Sequence, residues 1–481
     1  MRISSGICTS ALIAFSLAAI CPAQDAATPA ADDASQPLQA EPTVAAHSKV
    51  RIVRLSEVKG DVELDRNVGR GYESPMTNLP ITEGVKLKTG TGVAEIEFED
   101  NSTVRVGANS IVEFPRLELL PSGAKASAVH LLQGTVYVSL LNTKGNEFTL
   151  TFGKEKVSLP PDSHIRLELT ADQASLAVLH GNALVEEPSG IATVSKNKTM
   201  TFHLASDSQP ELAKSVAEAP LDSWDKNATQ YHKSYANASS FGNSPYTYGI
   251  NDMNYYGSFG SACGGSFWRP YFTNASWDPY GSGAWAYYPS AGYSWVSPYP
   301  WGWTPYHYGS WSFCEGVGWG WRPGGAYLGL ANNSFASTLK RPRPPLHPPV
   351  IAQSTLVPVN MKAIPASGLG VHDTFVFRNN SAGMGVPRGG LGKLNSFSGQ
   401  TVQHGAATTN VYFGGSQRAV VGEPRAANGG TAASSSRPVS APSQSSNHSY
   451  SSGMQNRSMG ASSHASPAPS GGGGGGGGVR H

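Results

Sequence analysis

Cysteine is scarce in this chain: four residues in 481, at positions 8, 21, 263 and 314. They form no CxxC or CxxH pair, and His307 stands seven residues from Cys314 without a second close ligand, so a structural zinc site is not expected. Long apolar runs are equally rare. The stretch from Ile7 to Ile20 stands alone, and it is shorter than the roughly 20 residues a membrane-spanning helix needs. Glycine-rich phosphate loops in a strand-to-helix setting are missing, as is the GxSxG turn of serine hydrolases. SxxK occurs at Ser122–Lys125 and Ser223–Lys226, and KTG at Lys88–Gly90, but KTG comes first and SDN is absent, so these matches are accidental. Between Trp268 and Trp321 the only acids are Asp278 and Glu315, too few for paired-carboxylate hydrolysis. No catalytic residue, metal or cofactor is therefore expected, and the chain reads as a non-enzyme.

What is present begins with an export signal. Arg2 supplies the positive start, Ile7 to Ile20 the apolar core, and Cys21-Pro22-Ala23 the small-residue cleavage region, with cleavage expected after Ala23. Ile20 before Cys21 disfavours lipidation, which needs a small residue there. Cleavage removes Cys8 and Cys21 and leaves Cys263 and Cys314 in an oxidising compartment, where one disulfide is expected and two separate buried thiols are the alternative. No membrane span is expected after cleavage.

Residues 24–48 are small, polar and without periodicity, a disordered linker. From 49 to 205 short β-rich runs alternate with Gly, Pro, Asn and Asp at intervals near ten residues, predicting an all-β domain. In Val93–Phe98 the alternation places Ala94, Ile96 and Phe98 on a buried face and Glu95 and Glu97 on a wet one, with Thr103–Val106 returning as the hairpin partner. Further strands are expected at 111–114, 135–140, 147–152, 156–159, 165–169, 175–179 and 183–185. A helix is expected from Asp222 to Tyr235 within a 220–240 linker, capped by Asp222 and serving as a hinge.

All ten tryptophans lie between Trp224 and Trp321, and from 245 to 328 they interleave with Tyr, Gly and Pro. Short units recur at Gly283–Trp285, Gly292–Trp295, Trp301–Trp303, Tyr308–Trp311 and Trp319–Trp321, read as successive strands of a small aromatic β-module. Glycine beside an indole lets the ring lie over neighbouring backbone. Most of these indoles are expected to be core, because the region is poor in Leu, Ile and Val. Trp301, Trp303 and Trp311 are the candidates for a surface that stacks on a ligand, and His307 is expected in a turn or the core. Residues 331–481 carry a balance of +10 within an overall charge of +2, spread through Gly/Ser/Pro-rich sequence. This reads as a disordered, solubilising basic tail.

Residues 57–187 resemble a FecR domain, the β-rich periplasmic module of bacterial envelope proteins. The matching pieces are Val58–Leu64, Ile81–Phe98, Asp100–Val106, Ser110–Phe114, Leu132–Val136 and Leu179–Val185; Pro160–His164 stands where the family has a Gly-Thr turn. Tyr248–Phe259 and Trp277–Trp311 are similar to an uncharacterised aromatic-rich region found downstream of FecR domains in exported proteins. The resemblance implies a periplasmic or secreted binding or scaffolding module. FecR's relay to a sigma factor uses a cytoplasmic arm and a membrane span, and here a signal peptide stands in their place. The implied partner is an envelope protein or polysaccharide, with no nucleic acid. Two alternatives accompany this reading: a carbohydrate or peptidoglycan adhesin working through the aromatic module, and an accessory component of envelope signalling.

Overall fold

The computed structural model describes residues 51–206, 208–241, 247–262, 264–288, 292–324, 356–359, 372–412 and 425–426. The expected signal at 1–23, the expected linker at 24–48 and Cys263 lie outside the described residues.

Two sheets, antiparallel but for one pairing, build the first region and share one long strand, Lys125–Ser139. Its second half pairs with Thr103–Val106 and His164–Leu169, extending a sheet that runs from Pro80–Ile81 through Val53–Lys59 and Val93–Glu97 to Lys198–His203. Its first half pairs with Ile111–Leu119 and, in parallel, with Glu147–Phe152 in the other sheet. Gly134 lies at the changeover with φ of 90°, and a Cβ there would stand 2.2 Å from Ser110 Oγ, so only glycine fits. The expected hairpin is present with Ile96 opposite Val104, and every strand anticipated between 93 and 187 is found, several of them longer. At Pro160–His164 the turn is made by Asp162, which itself adopts φ of 64°. Between the sheets the period-2 residues meet in an aliphatic core including Leu55, Ile96, Val104, Val138, Leu150 and Leu167, all fully buried.

The anticipated helix, α1 (Asp222–Tyr235), has the expected bounds, but its cap position is Leu221. Asp222 begins the helix and is taken up by other partners. The aromatic region adds α2 (Ile250–Tyr256), a sheet ordered Gly257–Ala262, Gly265–Pro270, Gly318–Arg322, Ser310–Cys314, and another of Gly292–Val296, Gly283–Tyr288 and Leu356–Val359. Four of the five Trp/Gly units are strands as expected. The fifth is not: Trp301 sits in a turn and Trp303 opens the short helix α3 (Trp303–His307). Pro300 cannot donate to a sheet ladder, and Pro305 is also unsuited to an inner strand.

The ligand-stacking assignment is overturned. Trp301 and Trp311 are 0% exposed and Trp303 is 1%, because the rings pack on one another and on the neighbouring tyrosines. Trp301 stacks parallel on Tyr299 at 5.0 Å and meets Trp268 at 4.8 Å. All nine tryptophans from Trp268 onward are buried, as is His307. The role given to glycine holds in detail: a Cβ on Gly283 would lie 2.1 Å from the Trp295 ring, and one on Gly257 2.3 Å from Trp268.

The reading of 331–481 as wholly disordered also needs correction. His372–Arg378 and Ala406–Tyr412 pair as strands with α4 (Leu394–His404) between them. Phe377, Leu391 and Phe397 enter the tryptophan core. Phe375, Val386 and Leu394 join them, and these few apolar anchors have a large aromatic surface to be buried against.

Candidate functional site

The charged face of the first sheet is where sequence and structure part most sharply. Glu95 and Glu97, expected to be wet, are both 0% exposed. Strand register explains what they meet. Arg54 pairs across from Glu97, and Glu95, Arg105, Tyr137 and Arg166 form one row over four strands. The row carries one acid against two bases, so it is left with positive charge that acids from elsewhere in the chain must meet.

Helix α1 covers one end of this row. Arg166 donates twice from Nη1 to Asp222 at 2.7 Å, and the Tyr137 hydroxyl donates to the same carboxylate at 2.8 Å. Burial alone would raise the Asp222 carboxyl, but hydrogen bonds from Arg166, the Ala219 backbone and Tyr137 hold it below its ordinary value. Arg105 donates from Nη1 to Asp225 at 2.7 Å and to Thr229 at 2.9 Å, and from Nε to Glu95 at 2.8 Å. His232, near the end of the helix, brings Nε2 to 3.0 Å from Glu95.

Helix α2 covers the other end. Tyr248, just before it, inserts its hydroxyl between two strands, donating to the Glu97 carbonyl at 2.7 Å and accepting from the Arg54 amide at 2.6 Å. Asp252 accepts from Arg54, and from the Tyr231 hydroxyl at 2.7 Å. Arg388 then ties both ends together, donating from Nη1 to Glu95 at 2.6 Å and from Nε to Asp252 at 2.7 Å. Its guanidinium lies 4.7 Å from the centre of the Tyr231 ring, a cation–π contact. Gly383 and Gly389 flank it, and a Cβ on either would press to within 2.8 Å of a tyrosine ring, so the segment can lie flat only with glycine there.

The electrostatics follow from burial and charge together. Desolvation pushes the Glu95 carboxyl up, but His232, Arg388 and Arg105 more than reverse this and hold it well below the usual carboxylate range. Asp252 is held down in the same way, by Arg388 and Arg54 against its own burial. The cluster can therefore keep buried carboxylates ionised. Its chemistry is that of a fixed ion lattice fastening helices to a sheet. No group of three or more His, Cys, Asp or Glu with metal-binding geometry occurs among the described residues.

None of the site residues anticipated from sequence belongs to this cluster. Cys314 is buried at the end of its strand, while Cys263 lies outside the described residues. The readable signal for the lattice was opposite charge at paired positions of a hairpin, Glu95 facing Arg105. Arg388, within a glycine- and proline-rich stretch, gave no local signal.

Residues 85–184 match the family described as FecR protein, and residues 250–338 match a family of unknown function, DUF6600. No curated protein matches the chain. Two crystal structures described as a "putative anti-sigma factor" from Parabacteroides distasonis are similar to part of it. One has 10% identity and a TM-score of 0.25, covering 29% of this chain and 63% of that one. The other has 12% identity and a TM-score of 0.24, covering 28% and 62%. No helix among the described residues is long and apolar enough to cross a membrane. The chain carries a FecR domain followed by a DUF6600 region.

Proposed function

We propose that this chain is a non-enzymatic, extracytoplasmic binding or scaffolding protein of the bacterial cell envelope, in which the FecR domain and the aromatic module act as one body. The observation that carries the proposal is the lattice on Glu95, Asp252 and Arg388, which occupies the charged sheet face with the protein's own helices. That face is spent on assembly, so a partner would be met by the outer surfaces of the fused unit. The FecR match supports a role connected with envelope signalling. The adhesin alternative loses its named residues, since Trp301, Trp303 and Trp311 are enclosed.

Export by the 1–23 signal, a Cys263–Cys314 disulfide and an envelope partner are parts of the same proposal. The test is affinity capture of the tagged chain from the native organism after crosslinking of intact cells, with mass determination of the product. A chain beginning at residue 24, two mass units lighter than its reduced form and joined to an envelope component, is the expected result. An unprocessed chain in the cytoplasmic fraction would sink the proposal.

A further inference from the structure

The surface of the aromatic module carries an open cavity of about 740 Å³, within the roughly 300–1,000 Å³ range of small-molecule sites. Its floor is the outer face of the sheet whose inner face carries Trp268, Trp311 and Trp321. Across the hairpin Ser258 pairs with Arg269, and Gly260 with Phe267, so these four residues share the cavity side. The turn after Pro270 forms one wall and contributes Tyr271 and Asn274, and α4 forms another and contributes Ser398 and Gln403.

Arg269 is the one charged residue lining this cavity. Its Nε is buried without a hydrogen-bond partner, and Nη2 reaches only the Thr273 carbonyl, at 3.5 Å. No carboxylate pairs with it among the described residues. Burial, unopposed by any acid, draws its guanidinium below its ordinary value. Every arginine of the lattice has a carboxylate partner, which Arg269 lacks. Gly260 adds a second, independent observation. Gly257, Gly283 and Gly320 of the same module sit where a Cβ would strike a ring, yet a Cβ on Gly260 would meet nothing within 4 Å, and the residue has no left-handed φ. The glycine is not needed for packing or for the turn. It leaves the floor open.

We infer that this cavity is a binding site for an acidic saccharide, with Arg269 receiving the sugar carboxylate. A guanidinium presents a planar fork that matches a carboxylate through two parallel hydrogen bonds. Ser258, Asn274, Ser398 and Gln403 supply hydroxyl and amide groups for ring hydroxyls, and Tyr271 supplies an aromatic face for a sugar ring. A peptide strand would need apolar slots at two-residue spacing, and the floor offers Ser258 and Gly260 there instead. The inference rests on the reading of the chain as a binding protein and gives that reading a ligand class.

Calorimetric titration of the full chain with trigalacturonate tests it, against maltotriose as the neutral analogue, tri-aspartate as the peptide and inorganic phosphate as the free anion. Saturable binding of trigalacturonate is expected, weakened roughly tenfold or more by Arg269→Gln, the loss of a charged hydrogen-bonding partner. Gly260→Trp should abolish it by filling the floor. Both variants should keep the parent's melting temperature, since Arg269 has no ion pair and Gly260 no close neighbour. Equal binding of maltotriose, tighter binding of tri-aspartate or phosphate, no binding of any probe, or unchanged binding by both variants would each overturn the inference. None of those results touches the crosslinking test, which can fail or succeed by itself.

Discussion

The two halves of this molecule are held together by different chemistry. The FecR-like region buries aliphatic side chains between two sheets, each fully buried Val, Leu or Ile contributing about 1.5–3 kcal/mol. The second region has few such residues. It uses indole and phenol rings that bury more area per residue and end in a polar atom, and although Nε1 of Trp295, Trp303 and Trp311 stays without a hydrogen bond, other rings use theirs to hold backbone. Trp268 donates to the Met253 carbonyl at 3.0 Å, Trp321 to Tyr308 at 2.8 Å and Trp301 to Ala382 at 2.7 Å. An aliphatic core is indifferent to what lies beyond it. An aromatic core of this kind fixes the backbone around it, which is how a glycine- and proline-rich segment near residue 382 acquires a defined position.

The largest effect should come from Trp301→Ala. It removes a ring touching Trp268, Tyr299 and Trp311 and orphans the Ala382 carbonyl, at a cost of about 3–5 kcal/mol. Urea unfolding followed by far-UV circular dichroism measures it. If the loss is no greater than that of a surface substitution, the ring is not a keystone and the contrast between the two cores fails. The variant should also expose residues 380–390 to limited proteolysis, which Leu167→Ala in the aliphatic core should not.

Arg388→Met should come next, at roughly 3 kcal/mol, because it leaves Glu95 and Asp252 buried with a counter-charge missing. Its distinctive consequence concerns coupling between the halves. The parent should unfold in one calorimetric transition, and the variant should show two, the aromatic module melting first. A single transition at an unchanged temperature would mean that the lattice does not join the regions.

The lattice also sets a pH dependence. Glu95 and Asp252 have folded-state pKa values below their ordinary 4.5 and 3.8, so the unfolded chain binds protons more readily than the folded one. Their contribution is complete above about pH 4.5 and is lost as pH falls below it, through the folded-state values. Thermal melts between pH 7 and pH 3 should show a plateau and then a steep decline, shallower in Arg388→Met. A decline that already begins near pH 6 would show that these two carboxylates do not set the acid limit.

Much of the first region was legible because a sandwich core prints itself as period-2 alternation, which Val93–Phe98 shows plainly. The same alternation misled on the other face. Alternation reports which residues differ in polarity from their neighbours, and it does not report whether a second layer will arrive to cover the polar ones. Glu95 and Glu97 read as solvent-facing because α1, α2 and Arg388 come from positions about 130 to 290 residues further along. The tryptophans were read correctly as core in the main, since glycine beside an indole has a local steric meaning. Trp301 and Trp303 were misplaced because the turn that carries them is buried by a segment whose composition resembles a disordered tail. Legibility thus fails where burial is supplied from a distance.

The smallest effect sharpens the comparison by isolating burial from charge. Arg116 pairs with Glu118 at 2.8 Å, as short as the Arg105–Glu95 contact, yet both side chains are about half exposed, at 45% and 51%. Solvent screens such a pair, and holding two long side chains in one geometry costs entropy, so Arg116→Ala should change stability by less than about 0.5 kcal/mol. The matched substitution Arg105→Ala removes a partner from Glu95 and Asp225, carboxylates that water cannot reach. Equal distances with unequal consequences are the expected outcome, read from paired urea titrations at low and high salt, with salt affecting only the Arg116 pair. Should Arg116→Ala destabilise as much as Arg105→Ala, pairing geometry rather than enclosure would govern this sheet, and the lattice would lose its claim to join the two halves.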